Sequence, residues 1–274
     1  MKEDVISIII PCYNNATTVR ESVESCIAQT YTNFEVIIID DGSTDNSWEI
    51  IQSLEAQFPQ VRSFHQNNKG PARARNFGAS FAQGKYIVFL DADDKFAPSF
   101  LEECINVFNT NQDVDIVYSL VEKFEEEEGI WVQLNYSTER ILLGSCFPIS
   151  SMVELEKFRQ IGMFDEELAH AEDWEMWIRM TAQYPNAYKI EKPLVFYRKR
   201  VTKDSISDLD RIHNYADYTH LYIYNKHYEL YRKHKRSIND LLWAKEEAVK
   251  YKAKYYNEWY RKLIYKWFLK KENK

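Results

Sequence analysis

The chain has 274 residues, 45% hydrophobic and 28% charged, a balance that excludes a disordered or fibrous polypeptide and allows one sizeable core with an appendage. Its formal net charge of −7 is unevenly placed: from Lys226 onward 15 Lys and Arg face 6 Asp and Glu, a local net of +9 that leaves −16 on the body, so tail and body face different partners. The apolar run Val5–Ile10 is too short for a signal-peptide core or a membrane span, and the spacing of Cys12, Cys26, Cys104 and Cys146 offers neither a metal-ligand pair nor a disulfide framework; both features predict a cytoplasmic, reduced setting.

In chain order, Val5–Ile10 reads as a strand apolar on both faces, and Thr18–Gln29 as a helix. A second buried strand, Phe34–Ile39, precedes a helix over 45–57 that Thr44 or Asp45 can cap. Val61–His65 is a third strand, and residues 72–83 form a helix ended by Gly84. Tyr86–Leu90 is a fourth strand, residues 98–109 a helix with Pro98 at its start, and Ile116–Leu120 a fifth strand. The acidic run 125–128 reads as a solvated loop. Residues 162–167 form a turn before a helix over about 172–182, Leu194–Arg198 is the last strand, and from about residue 208 the pattern is helical. Strands buried on both faces and separated by helices predict an α/β fold with a mostly parallel sheet, residues 1–207, followed by a helical extension, residues 208–274.

Ligands in such sheets bind outside the carboxyl ends of the strands, where three acidic or polar segments stand. Asp91 and Asp93 follow the fourth strand; residues i and i+2 of an extended segment point the same way, and two carboxylates so close favour a hard divalent cation between them. Turn acids capping a helix are the plainer alternative, and Asp94 suits that role. Gly42 permits a sharp turn after Asp40 and Asp41, so that one Asp can accept hydrogen bonds from a base edge or ribose. Tyr13, after the first strand, can stack on a base or belong to the core. Residues 67–76 put basic groups near a helix N-terminus, a place for phosphate.

Taken together, Ser7-Ile-Ile-Ile-Pro-Cys-Tyr-Asn14, the run Gln29–Asp45, Ala74-Arg-Asn-Phe-Gly78, Gly84–Asp94 and the later block Phe158–Glu167 with Glu172-Asp-Trp-Glu-Met-Trp177 resemble the family 2 glycosyltransferases of the bacterial polysaccharide type, over about Val5 to Arg198. The resemblance implies the GT-A nucleotide-binding fold and inverting transfer of a hexosyl or N-acetylhexosaminyl group. The donor would be a nucleotide sugar, uridine diphosphate being the default carrier with guanosine and thymidine carriers open. The acceptor would be a hydroxyl of a glycan or lipid-linked molecule. Pro11 and Tyr13 would face the base, Asp41 its edge, and Asn67, Arg75 and Asp91 would seat the nucleotide. Asp91 and Asp93 would form the motif for manganese or magnesium, with Asp93 the direct ligand. Asp173 would be the general base, with Glu172 the alternative or a supporting ligand, because adjacent side chains at a helix start diverge by about 100°. Arg198 would support the site. Two residues past it related enzymes often place a histidine; here Arg200 stands, able to substitute as a cation but not to ligate a metal.

In the tail, Tyr256, Trp259, Leu263, Ile264, Trp267 and Phe268 fall at helical spacing beside Lys254, Arg261, Lys262, Lys270 and Lys271. Such a face can lie in a membrane interface, which would place the protein peripherally on the inner face of the cell membrane, or pack on the catalytic domain or another copy of the chain. No nucleic-acid partner is expected. Two other functions compete: a sugar nucleotidyltransferase, which would want a Gly-rich basic loop where Pro11-Cys-Tyr-Asn14 stands, and a non-catalytic interaction protein that retains the fold.

Overall fold

A computed structural model describes residues 4–200 and 216–256, with side chains for 4–200 and 217–250. The described residues divide into two compact units, up to Leu221 and from Tyr222. The expected boundary at 207/208 and the side chains of the expected tail face lie outside the described residues.

Nine strands among the described residues form one sheet: β1 (Ile6–Cys12), β2 (Phe34–Asp40), β3 (Val61–His65), β4 (Tyr86–Phe89), β5 (Lys95–Phe96), β6 (Ile116–Glu125), β7 (Gly129–Ile130), β8 (Met152–Glu154) and β9 (Ala187–Lys199). The order is β3-β2-β1-β4-β8-β6-β9-β5, with β7 on β6. The long pairings are parallel, β1 with β2 and β4, β2 with β3, and β6 with β9; the antiparallel ones span two residues each. The helices of the first unit are α1 (Val19–Ile27), α2 (Ser47–Gln57), α3 (Pro71–Phe81), α4 (Phe100–Thr110), α5 (Leu155–Gln160) and α6 (Glu172–Gln183).

β-Branched runs build the core: Ile6, Ile8, Ile9 and Ile10 of β1 and Val36 to Ile39 of β2 are fully buried, each side chain contributing about 1.5–3 kcal/mol. α3 lies hard against them. A Cβ on Gly78 would stand 2.5 Å from Ile9 Cγ2, so only glycine allows the helix this close to β1. Because β2, β1 and β4 are parallel neighbours, their carboxyl ends open onto one edge of the sheet.

Where boundaries differ from expectation, local acceptors explain the shift. α3 stops at Phe81 because the following amides find side-chain acceptors: Gln83 N–H donates to Glu35 Oε1 at 2.7 Å and Gly84 N–H to Ser7 Oγ at 2.9 Å. α4 starts at Phe100 because Lys95 and Phe96 first pair with β9. β6 runs to Glu125 because β9 follows it for ten residues, through a register shift where Pro193 sits opposite Leu120 and no ladder hydrogen bond is demanded of it. Asp45, not Thr44, takes the first amide of α2, accepting from Ser47 N at 3.0 Å.

The described residues of the second unit are mostly helical. α7 (Ala216–Lys226) ends in it, and α8 (Tyr228–Lys233) and α9 (Ile238–Tyr256) belong to it. Along α9, Ile238, Leu241, Leu242, Trp243 and Val249 are exposed. No helix among the described residues is long and apolar enough to cross a membrane.

Candidate active site

Two cavities share a wall at the strand ends. The first, about 410 Å³, is lined by Pro11, Tyr13, Asn15, Asp41, Asn68, Gly70, Arg75, Asp91, Asp93, Tyr197 and Arg200 among others. Its floor is stitched from two loops. Asn14 Oδ1 accepts from Thr44 N at 2.8 Å, Asn15 N–H donates to Ser47 Oγ at 2.9 Å, and Ala16 N–H donates to Asp45 Oδ2 at 3.1 Å. Tyr13, 46% exposed, is thereby held over the opening. Asp41 is buried; its carboxylate accepts from Gln66 Nε2 at 2.7 Å and from the Lys69 and Gly70 amides, both at 2.9 Å. That clamp bends the chain back over Gly42, whose φ of +73° and 2.6 Å approach to Asn68 N exclude any side chain. Gly70 and Pro71 then open α3, turning the positive end of its dipole toward the cavity. Burial pushes the Cys12 thiol up to about 12, which removes it as a nucleophile.

The wall between the cavities is built of ion pairs. Arg75 is buried and donates to Asp91 Oδ1 at 2.7 Å and to Glu172 Oε1. Burial disfavours its charge, but Asp91 and Glu172 outweigh that and hold the guanidinium firmly protonated. Asp93 Oδ2 accepts from Arg200 at 2.7 Å, and Arg200 also donates to Asn15 Oδ1. Burial, then the charge of Asp91, raises the Asp93 carboxyl despite Arg200. Arg198 is a staple: it donates to the Asp93 carbonyl at 2.7 Å and to Glu125 and Glu21. Asp94 is not a helix cap; its carboxylate accepts from Arg198 N at 2.9 Å, and burial pushes its proton affinity well above the ordinary carboxylate range.

Two oxygen-donor side chains of like charge, with Asp91 one-third exposed, suit a hard divalent cation. Among the described residues no group of three or more His, Cys, Asp or Glu can hold a metal by itself, so a cation beside Asp91 and Asp93 would take its remaining ligands from the phosphates of a donor and from water.

The second cavity, about 370 Å³, is lined by Arg75, Asp91, Asp94, Tyr197, Ala171, Glu172, Asp173 and a long wall from the 131–150 segment. Arg75, Asp91 and Tyr197 belong to both cavities. Ala171 precedes α6 in the left-handed region, φ 54° and ψ 27°, a conformation that costs an alanine roughly 1–3 kcal/mol. The bend is held by α6 itself: Trp174 Nε1 donates to Ile141 O at 2.5 Å, and Arg179 grips Glu175 as well as the Met163 and Ile161 carbonyls. Asp173 and Glu172 both line the cavity, and Glu172 accepts from Arg75. Burial, then the neighbouring Glu172 charge, pushes the Asp173 carboxyl up to about 7.

Of the residues singled out in the sequence, Pro11, Tyr13, Asp41, Arg75, Asp91, Asp93 and Arg200 line the first cavity, and Glu172 and Asp173 the second. Asn67 is exposed and does not line either; its neighbour Asn68 lines the first. Arg198 lies behind the wall. Asn15, Tyr197 and Gln133 were not legible as site residues. Tyr197 had one signal, its alternation with Arg198 in a strand near the sheet edge. Asn76 is also structural: it clamps the Phe164 backbone from both sides, at 2.9 and 3.0 Å.

The profile of Glycosyl transferase family 2 matches residues 7–181. An uncharacterized glycosyltransferase of Rickettsia prowazekii, RP339, is 30% identical over 235 residues, which is 79% of this chain and 72% of that protein. The chain spans only 32%, 27% and 58% of three similar glycosyltransferases of Rickettsia felis, Rickettsia bellii and Rickettsia typhi. Among solved structures, Staphylococcus aureus TarS 1–349 in complex with UDP-GlcNAc superposes with a TM-score of 0.62 at 22% identity, over 71% of this chain and 58% of that one. A Pyrobaculum calidifontis mannosyltransferase in complex with GDP-Man and Mn2+ superposes at 0.57 and 19% identity, over 73% and 58%. A parallel half-sheet whose ends carry the acids, joined through short antiparallel strands to the long β6–β9 pair, is thus a GT-A fold, and the chain belongs to glycosyltransferase family 2.

Proposed function

We propose that the chain transfers a sugar from a nucleoside-diphosphate donor, first of all a uridine diphosphate hexose or N-acetylhexosamine, to a hydroxyl of a glycan or lipid-linked acceptor with inversion. The observation that carries this reading is the shared wall: a carboxyl raised to about 7 stands in one cavity, and Arg75 and Asp91 join that cavity to the one lined by Tyr13 and Asp41. The base would lie against Tyr13 and Pro11, with Asp41 holding the loop that frames its edge. The diphosphate would lie toward Arg75, Arg200 and the start of α3, which orient it and balance its charge. A divalent cation held by Asp93 with Asp91, when bound, supplies further charge neutralisation at the leaving group; the Mn2+ in the mannosyltransferase complex accords with this.

The acceptor oxygen forms a bond to the anomeric carbon as the bond to the diphosphate breaks, and its proton passes to Asp173. A carboxyl with an affinity near neutrality is poised for that transfer at physiological pH, and its environment, not its residue type, makes it so. Glu172, engaged by Arg75, stands beside Asp173 and is second to burial in raising that affinity. Arg200 pairs with Asp93 until a donor arrives and then serves the phosphates as a cation, in place of a histidine ligand. Exposed apolar residues on α9 and the basic tail accord with peripheral contact with the inner face of the membrane, as a lipid-linked acceptor requires.

The test is binding and slow hydrolysis of a panel of nucleotide sugars, with and without manganese, by the wild type and Asp93→Ala. Release of one nucleotide that depends on manganese and is lost in the variant is the expected result. A folded protein that binds no donor would sink the proposal.

A further inference from the structure

Part of the second cavity has no task in the scheme above. Gln133 lines it, and both polar atoms of its carboxamide are shut off from solvent without a hydrogen-bond partner. A buried amide left unpaired works against folding, so its presence at a cavity wall points to a partner that arrives from outside. A carboxamide offers a donor and an acceptor side by side, the complement of two adjacent hydroxyls. Two residues earlier Trp131 is 42% exposed; its amide is pinned to Val121 O at 2.8 Å, and its ring leans on Tyr197 at 5.3 Å and 33°. The pair gives an aromatic shelf beside the amide. The rest of this wall, Val132, Leu134 and Ser145 to Ser150, carries no charge. Such a surface suits a neutral ring with one apolar face and polar edges, not a phosphate or a carboxylate.

We propose that this wall is the acceptor subsite and takes a neutral pyranose. The ring stacks on Trp131, two adjacent polar substituents bridge the Gln133 carboxamide, and a further hydroxyl turns toward Asp173 in the same cavity. With the diphosphate proposed to lie at Arg75 and Arg200, the Trp131–Ser150 wall lies on the Asp173 side of the residues that both cavities share. This assignment rests on the transfer reading and names the chemistry of its second substrate.

The experiment uses the full chain with UDP and the diamagnetic magnesium ion present, saturation-transfer NMR on methyl glycosides of glucose, galactose, mannose and N-acetylglucosamine, and donor hydrolysis run alongside. Wild type should bind at least one glycoside. Gln133→Leu and Trp131→Ala should each weaken that binding about tenfold, a larger change than any in the donor KM. Gln133→Leu should also raise the unfolding midpoint, since it removes an unpaired buried amide; a hidden structural role would lower it. Unchanged glycoside binding in both variants, a lowered midpoint in Gln133→Leu, or a loss that falls equally on the donor KM would each overturn the proposal. Wild type that hydrolyses no nucleotide sugar would instead overturn the transfer reading beneath it, a result separable from the others.

Discussion

Asp173→Asn separates the two effects that the environment of this carboxyl produces. The side chain is held at about 7, above the ordinary 3.8, by burial first and the Glu172 charge second, against the pull of the Trp174 amide and Arg75. The folded state therefore binds a proton that the unfolded chain releases earlier. Its contribution to stability is complete below about pH 4 and is lost as pH rises through 7. At pH 8 the ionised carboxylate costs at most about 4 kcal/mol, an upper bound because the charges around it are shared. Asparagine cannot ionise and escapes this cost. Denaturant unfolding with a chelator present should thus show the variant and the wild type close in stability at pH 4.5, with the variant ahead by 1 kcal/mol or more at pH 8. Catalysis runs the other way. Wild-type kcat/KM should climb up to about pH 7 and then level, and the variant should lose about 10²- to 10⁴-fold without that climb. A variant that keeps the wild-type rate and pH profile, or whose stability advantage shrinks with rising pH, would refute the reasoning. A larger loss in Glu172→Gln than in Asp173→Asn would move the base by one residue.

Asp93→Ala should abolish calorimetric Mn2+ binding measured in the presence of UDP, while Asp113→Ala, on the exposed turn before β6, should leave it unchanged. Gly42→Ala meets both a φ of +73° and a 2.6 Å clash with Asn68 N, so denaturant unfolding should show a loss of about 2 kcal/mol or more and a weaker donor affinity. Arg179→Met removes the ion pair to the fully buried Glu175 and the bonds to the Met163 and Ile161 carbonyls, and should cost about 2 kcal/mol or more, seen as a lowered unfolding midpoint. Co-sedimentation with vesicles should be strong for anionic phospholipid, weak for zwitterionic lipid and reduced by salt; equal binding to both would remove the electrostatic part of the membrane argument.

The parallel half of the molecule was readable because strands buried on both faces leave continuous apolar runs, and β1, β2 and β4 are of that kind, while β3 lies at the sheet edge with only Val61 buried. Their order also put Asp41, Asp91 and Asp93 on one edge before any coordinates. The antiparallel half was not readable. β5, β7 and β8 are two or three residues long and owe their form to neighbours far along the chain. The same limit hid the roles of single residues. Arg198 was expected to support the site, but the form of that support was hidden, because its three acceptors come from segments that no local pattern links. Gln133 sits in a stretch without periodicity, and only the cavity distinguishes it. Asp173 and Glu172 could not be told apart by type; the left-handed Ala171 and the reach of Arg75 distinguish them.

Arg198 also dictates when the site can exist. It joins Asp93 to Glu21, 177 residues away in sequence, and it lies beyond residue 181, where the family match ends. Contacts so distant form late, because the chain must close its longest loops before they stabilise anything. During synthesis the Tyr13 and Asp41 loops can assemble once Gly70 has emerged, yet Tyr197, Arg198 and Arg200 are still to be made. A chain caught at that stage has the Tyr13 and Asp41 loops but neither the wall that separates its cavities nor the clasp on Asp93. The order in which the residues are laid down therefore completes the two cavities last.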